Sequence, residues 1–151
     1  MVSTSAKTNA SKGCASDATL RQFSGYAMKR AFNAVQADVN AALAPHGLRM
    51  LTFSALVIVV DNPGLRQSQL ADALAIERPN LVLVVDELER ADLIIRNPAQ
   101  GDRRAYALTP TAAGKQVYAR AVAAVHAHED KMTAALSEAE RTSLHHALRA
   151  I

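Results

Sequence analysis

The sequence predicts a mainly α-helical chain that carries one small β-hairpin, and three observations predict it. Apolar residues recur at helical spacing through most of the chain. One window, from Leu93 to Thr109, interrupts that rhythm with two short strand-compatible runs on either side of a charged, turn-rich loop. Just before that window, two short helical stripes are separated by a break, Ala75-Ile76-Glu77-Arg78-Pro79.

In chain order, residues 1–16 are Ser, Thr, Ala, Lys and Asn without periodicity and read as a disordered tail containing the single cysteine, Cys14. From Asp17 to Ala44, Leu20, Phe23, Ala27, Ala31, Ala34, Val35, Val39 and Leu43 predict one long helix, which Pro45-His46-Gly47 stops. A second helix over Thr52 to Val60 is apolar nearly all round and therefore buried, and Asp61-Asn62-Pro63-Gly64 is a turn. Ser68 is the expected N-cap of the next helix, whose stripe is Leu70, Ala73 and Leu74. The helix after it begins near Arg78, because Pro79 suits a first helical turn, where its missing N–H costs nothing. Along it Leu81, Val84, Val85 and Leu88 form the buried stripe, leaving Asn80, Leu83, Asp86, Glu87 and Arg90 on or near the other side.

Leu93–Arg96 and Tyr106–Thr109 are the two arms of the hairpin, with a basic tip between them. Thr109-Pro110 is expected to cap a long helix reaching about Thr133. A capping box, Ser137 with Glu140, opens a last helix to Ile151. A helical pair followed by a hairpin is the arrangement of a winged helix-turn-helix. In it the second helix enters a DNA major groove and the hairpin, or wing, reaches phosphates or the minor groove. The expected organisation is a tail over 1–16, an N-terminal dimerisation helix and linker over 17–50, the winged helix-turn-helix over 51–110 and C-terminal dimerisation helices over 111–151. The apolar faces left by Val117, Val122, Val125, Leu136, Leu144, Leu148 and Ile151 need a partner surface, and the simplest is a second copy. A two-fold dimer would set two recognition helices about one DNA turn apart, on a pseudo-palindromic operator.

At these residues the chain resembles the MarR family of bacterial transcriptional regulators. The resemblance rests on Ile76-Glu77-Arg78-Pro79-Asn80-Leu81-Val82, on Leu88-Glu89-Arg90-Ala91-Asp92-Leu93-Ile94, and on Asp102-Arg103-Arg104 followed by Leu108-Thr109 and Gly114. It implies dimers joined through the terminal helices and a wing arginine in the minor groove. It also implies an effector pocket between the terminal helices and the winged domain. Phe23, Tyr26, Arg30 and His46 are the candidates for that pocket, since an apolar ring beside a cation suits an aromatic acid or its thioester. Some relatives sense oxidants through a cysteine near the first helix; Cys14 reads more simply as an inert thiol.

The expected DNA-contacting set is Ser68, Gln69, Arg78, Asn80, Leu83, Arg103 and Arg104. Asn80 suits adenine and Arg78 guanine or phosphate. Leu83 departs from the polar residue relatives often carry; it would touch a thymine methyl or belong to the core. Asp102 and Arg104 are expected to pair and hold the hairpin, with Arg103 projecting. The alternative role for each is capping, packing or solvation.

Composition bounds these readings. At 151 residues, half hydrophobic and 21% charged, the chain suits one domain with its own core. One cysteine excludes an intramolecular disulfide, no secretory segment stands near Met1, and the longest apolar run, Ala55 to Val60, is too short to span a bilayer. A cytoplasmic protein without a membrane role is expected. The net charge is +3, yet Leu65 to Pro110 holds six arginines (66, 78, 90, 96, 103, 104) against seven acids (72, 77, 86, 87, 89, 92, 102). DNA binding would therefore require the charges to be sorted in space. Without a glycine-rich phosphate loop, nucleophile elbow or paired carboxylates, no enzyme and no cofactor is expected. His126, His128, Glu129, Asp130, His145 and His146 do not converge at metal-ligand spacing along a helix. The expected function is ligand-responsive repression by a dimer on double-stranded DNA. The alternative is a dimeric ligand-binding or protein-interaction module that keeps the fold without DNA binding.

Overall fold

The structure, a computed structural model, describes residues 15–99 and 102–151, leaving the side chains of residues 99 and 102–105 outside the description. Cys14 and nearly all of the tail fall outside it as well.

The chain divides into two compact units, residues 1–33 and 34–151. In the first, the single helix expected from Asp17 is two pieces: a 3-10 helix, Leu20–Gln22, and α1, Ser24–Leu43, which continues into the second unit. Phe23 between them is extended, with φ −101° and ψ 125°. Asp17 explains the break, because its carboxylate accepts from Arg21 Nε at 2.7 Å and from Tyr26 Oη and Arg30 Nη1 at 2.8 Å each. That chelation folds the 3-10 helix onto the first turns of α1, where one straight helix would carry Asp17 away from Arg30.

The second unit is built on α2, Met50–Asp61. Its Ala55, Leu56 and Val59 are completely buried, as the all-round apolar pattern requires, and it packs against helices on several sides. Buried Thr52 has its hydroxyl satisfied locally, accepting from the Arg49 N–H at 3.0 Å. Gly47, at φ +69°, supplies the left-handed residue that stops the preceding 3-10 helix, Ala44–His46.

A two-residue strand, β1 (Leu65–Arg66), precedes α3, Gln67–Leu74. The N-cap of α3 is therefore Arg66 rather than Ser68. Arg66 is held extended by pairing with Ala107, which fixes where helical geometry starts, and its N–H donates to Gln69 Oε1 at 2.8 Å. Ser68 is the second residue of the helix. α4, Arg78–Arg90, begins as expected, with Glu77 as N-cap and Pro79 in the first turn. Leu81, Val84, Val85 and Leu88 are all buried.

The wing is longer than the two runs indicated. β2, Ile94–Ala99, and β3, Asp102–Pro110, pair antiparallel with Ile94 opposite Pro110 and Asn97 opposite Ala107. The sheet order is β1-β3-β2. Pro110 belongs to β3, so Thr111, not Thr109, caps α5, Ala112–Met132; its Oγ1 accepts from the Gly114 N–H at 2.8 Å. The same hydroxyl donates to the Asp92 carbonyl at 2.6 Å, fastening α5 to the turn between α4 and β2. A side chain at Gly114 would place its Cβ 1.9 Å from the Leu93 carbonyl oxygen, so glycine is required for this approach. α6, Glu138–Arg149, opens with the Ser137–Glu140 capping box: the Ser137 N–H donates to Glu140 Oε2 at 2.8 Å, and Ser137 Oγ accepts from the Glu140 N–H. It ends before Ile151 and buries none of its residues, leaving Leu144 and Leu148 exposed. Among the described residues no single helix is long and apolar enough to cross a membrane.

Candidate nucleic-acid interface

Away from its buried stripe, α4 presents Arg78, Asn80, Val82 and Leu83 to solvent. Leu83 is 66% exposed, which removes the core alternative and places an apolar side chain among the polar groups of that face. Arg78 stands in the first helical turn, where the backbone N–H groups lack helical partners and the helix dipole adds positive potential, both of which favour an anion.

The acids that made this segment electrically unpromising are partly compensated. Arg96 of β2 donates through Nη1 to Glu89 at 2.9 Å and through Nη2 to Asp86. Arg49, just before α2, reaches Glu87 at 2.8 Å. Pairs as exposed as Arg49–Glu87 add little to stability. Their consequence here is for the field, since three carboxylates in the C-terminal half of α4 are offset by two guanidiniums, while its N-terminal half, Arg78 to Val85, carries no acid. The sequence count could not show this sorting.

Ser68 is half-buried in the first turn of α3, and Gln69, though exposed, already accepts from the Arg66 N–H through its carbonyl oxygen. Asp102, Arg103 and Arg104 occupy the start of β3 by their backbone. Their side chains, and with them the expected Asp102–Arg104 pair, lie outside the described residues.

Of the effector candidates, Tyr26 and Arg30 do meet. The Arg30 guanidinium lies 5.8 Å from the centre of the Tyr26 ring, and both donate to Asp17, which sequence reasoning did not place with them. The only sequence signal was Asp17 four residues before Arg21, a helical pairing distance. Hydrogen bonds from Arg21 first and Tyr26 second pull the Asp17 carboxyl down to about 2, and Tyr26 first, through its hydrogen bond, and then Asp17 raise the Arg30 guanidinium. Phe23 is exposed, and His46 is half-buried in the 3-10 helix after α1. His126, His145 and His146 line an open cleft of about 690 Å³ between α5 and α6, where His145 faces Glu129 at 3.8 Å and Arg141 faces Asp130 at 3.7 Å.

A three-stranded wing beside a helical pair, with an exposed recognition face and long helices before and after, defines a winged helix-turn-helix regulator. Residues 48–106 match the model of the MarR family. Over 125 residues, 83% of this chain and 87% of the relative, the sequence is 31% identical to an HTH-type transcriptional repressor of Mycobacterium tuberculosis. It is 41% identical over 92 residues to a putative transcriptional regulatory protein for the hcr operon of Thauera aromatica; that match takes in 61% of this chain and spans 55% of the length of the Thauera protein. Among solved structures, the transcriptional repressor CouR bound to a 23-mer DNA duplex superposes with a TM-score of 0.87 at 35% identity, covering 91% of this chain and 98% of CouR. CouR bound to p-coumaroyl-CoA superposes at 0.82 and 34% identity, covering 89% and 94%. The chain belongs to the MarR family.

Proposed function

We propose that the protein is a dimeric transcriptional repressor that binds a pseudo-palindromic operator and is released by an aromatic acid or its thioester. The observation that carries the reading is the sorted charge of α4. Its exposed N-terminal face holds Arg78, Asn80 and Leu83 while its C-terminal acids are partly offset by Arg96 and Arg49. Asn80 is suited to an adenine edge, Leu83 to a thymine methyl and Arg78 to guanine or phosphate. Arg103 and Arg104 in the wing supply phosphate or minor-groove contacts, and Ser68 and Gln69 stand at the head of α3 toward the backbone. The DNA-bound form of CouR supports the partner, and its p-coumaroyl-CoA complex supports the class of effector. The exposed Leu144, Leu148 and Ile151 support pairing of two copies through the C-terminal hairpin. Such a protein works in the cytoplasm and catalyses nothing. Release follows when the effector binds one separation of the two recognition helices better than the other, since only differential affinity shifts such an equilibrium.

The test is binding of the purified protein to the DNA immediately upstream of its own gene and to unrelated DNA of equal length, across a salt series. p-Coumaroyl-CoA and salicylate are then added to the complex. Selective binding that weakens steeply with salt and is relieved by one probe is expected. Arg103→Glu with Arg104→Glu abolishes it. Effector binding with no DNA preference, and no response to that double reversal, would replace the repressor by a ligand-binding module.

A further inference from the structure

The groove between the recognition helix and the wing, about 480 Å³, is lined by Gln67, Val82, Glu89, Arg96 and Tyr106. Arg96 stands on β2 opposite Leu108, and its side chain is only 22% exposed. Its two terminal nitrogens go to Asp86 and Glu89, which at three residues apart project from one face of α4 toward the wing. Its Nε is buried and has no partner among the described residues. The guanidinium is thus committed to a single posture in which a planar fork spans two carboxylates of a neighbouring element. A lysine ammonium on a flexible stem could not reproduce that posture. α4 and β2 are also joined by the short turn through Asp92, which adopts a left-handed φ of 57°, and by Leu88 and Ile94, which are buried in one core beneath them; the fork is the polar link on the groove side.

Resting on the repressor reading, we propose that Arg96 is the positioning residue of the DNA interface. It holds the wing at a fixed spacing from the recognition helix, and its positive charge offsets part of the negative charge of Asp86 and Glu89 in the groove a DNA backbone has to pass. Helix and wing must meet the duplex together, so a wing free to shift costs the operator its advantage over other DNA. Uncompensated Asp86 and Glu89 would repel any DNA. The two effects have different signatures, because charge acts on all sequences alike and spacing acts on selectivity.

Three variants separate them. Arg96→Met is expected to weaken operator binding by about tenfold or more, as loss of one partner leaves the others unpaired, with a smaller loss on unrelated DNA. Arg96→Lys restores the charge but not the fork, so it recovers binding to unrelated DNA and not the operator preference. Asp86→Asn with Glu89→Gln makes the interface more positive and frees Arg96; unrelated DNA binds more tightly while the preference falls. If that double variant keeps the wild-type preference, Arg96 only balances charge and the positioning role is overturned. Amide exchange reads the brace without DNA: in Arg96→Lys, the β2 and β3 amides exchange about tenfold faster while those of α6 do not change. Unchanged exchange in the wing overturns the proposal by itself. A wild-type protein without operator preference, but with wing exchange that responds to Arg96, would fail the repressor reading and leave the brace standing.

Discussion

Replacing Gly114 by alanine tests how α5 is seated on the wing. The added Cβ would lie 1.9 Å from the Leu93 carbonyl oxygen and 2.9 Å from its carbon, so the obstacle is backbone and no side-chain rotation relieves it. Overpacking of this kind costs about 1–3 kcal/mol, and an obstacle in the main chain belongs at the upper end. Alanine returns up to about 1 kcal/mol of helix propensity, leaving a net loss of about 2 kcal/mol. At roughly 3 °C per kcal/mol for a chain of this length, thermal unfolding followed by circular dichroism should show a midpoint about 6 °C lower. The Leu93 carbonyl also accepts from the Thr111 N–H at 3.0 Å and sits one residue before β2, so its displacement is passed to the wing. DNA affinity should fall even at temperatures where the variant is folded. Ala113→Gly, which adds no clash on the neighbouring exposed position, is the control for propensity alone. A Gly114→Ala midpoint at or above wild type would refute the argument, because the carbonyl would then have moved away at no cost.

Two further expectations follow from local geometry. Ala75 ends α3 in the left-handed region, at φ 50° and ψ 43°, where a Cβ costs about 1–2 kcal/mol; Ala75→Gly relieves this, offset by about 0.4–1 kcal/mol of added unfolded-state entropy. Chemical denaturation should show the variant modestly more stable, and a clear loss would contradict the assignment. At the other end of the chain, the Asp17 carboxyl should titrate near 2 by NMR, and removing the first-ranked donor with Arg21→Gln should raise it more than Tyr26→Phe does. Because the folded value is depressed, the Asp17 contacts contribute stability above the ordinary carboxylate range near 4 and lose it as pH falls from there through about 2. A titration midpoint near 4 in the folded protein would dissolve the cluster.

What could be read from the sequence was what periodicity and side-chain size encode. Leu81, Val84, Val85 and Leu88 identified the inner face of α4 because a buried stripe must repeat with the helix, and the exposure of Leu83 follows from the same phase. The errors fall where a neighbouring strand outvotes local chemistry. Ser68 is the better N-cap by type, but Arg66 takes the position because β1 holds it extended; a two-residue strand has no period to detect. Pro110 looked like a first helical residue and instead completes β3 opposite Ile94, moving the cap of α5 to Thr111. The break in the N-terminal helix depends on Asp17 meeting Arg30 thirteen residues away, a distance along the chain at which no local pattern reports. Arg96 was only one of six arginines until folding set it between two carboxylates.

The charge count and the fold together explain how a segment with more acids than arginines would, on the proposed reading, serve as a DNA reader. A uniformly basic surface would bind any duplex, because phosphate contacts carry no sequence information. Here three acids of α4 are held in ion pairs at or beside its C-terminal half, which keeps the overall field weak. On the proposed reading, the cations that meet DNA are Arg78 at the head of the recognition helix and Arg103 and Arg104 in the wing, with Leu83 and Asn80 between them facing base edges. Binding would therefore need both cationic points to be engaged at once, which only a duplex of the right shape and sequence permits. That requirement makes the spacing between helix and wing as consequential as either contact. It is also why Arg96, whose guanidinium is turned to Asp86 and Glu89, belongs to the same functional unit.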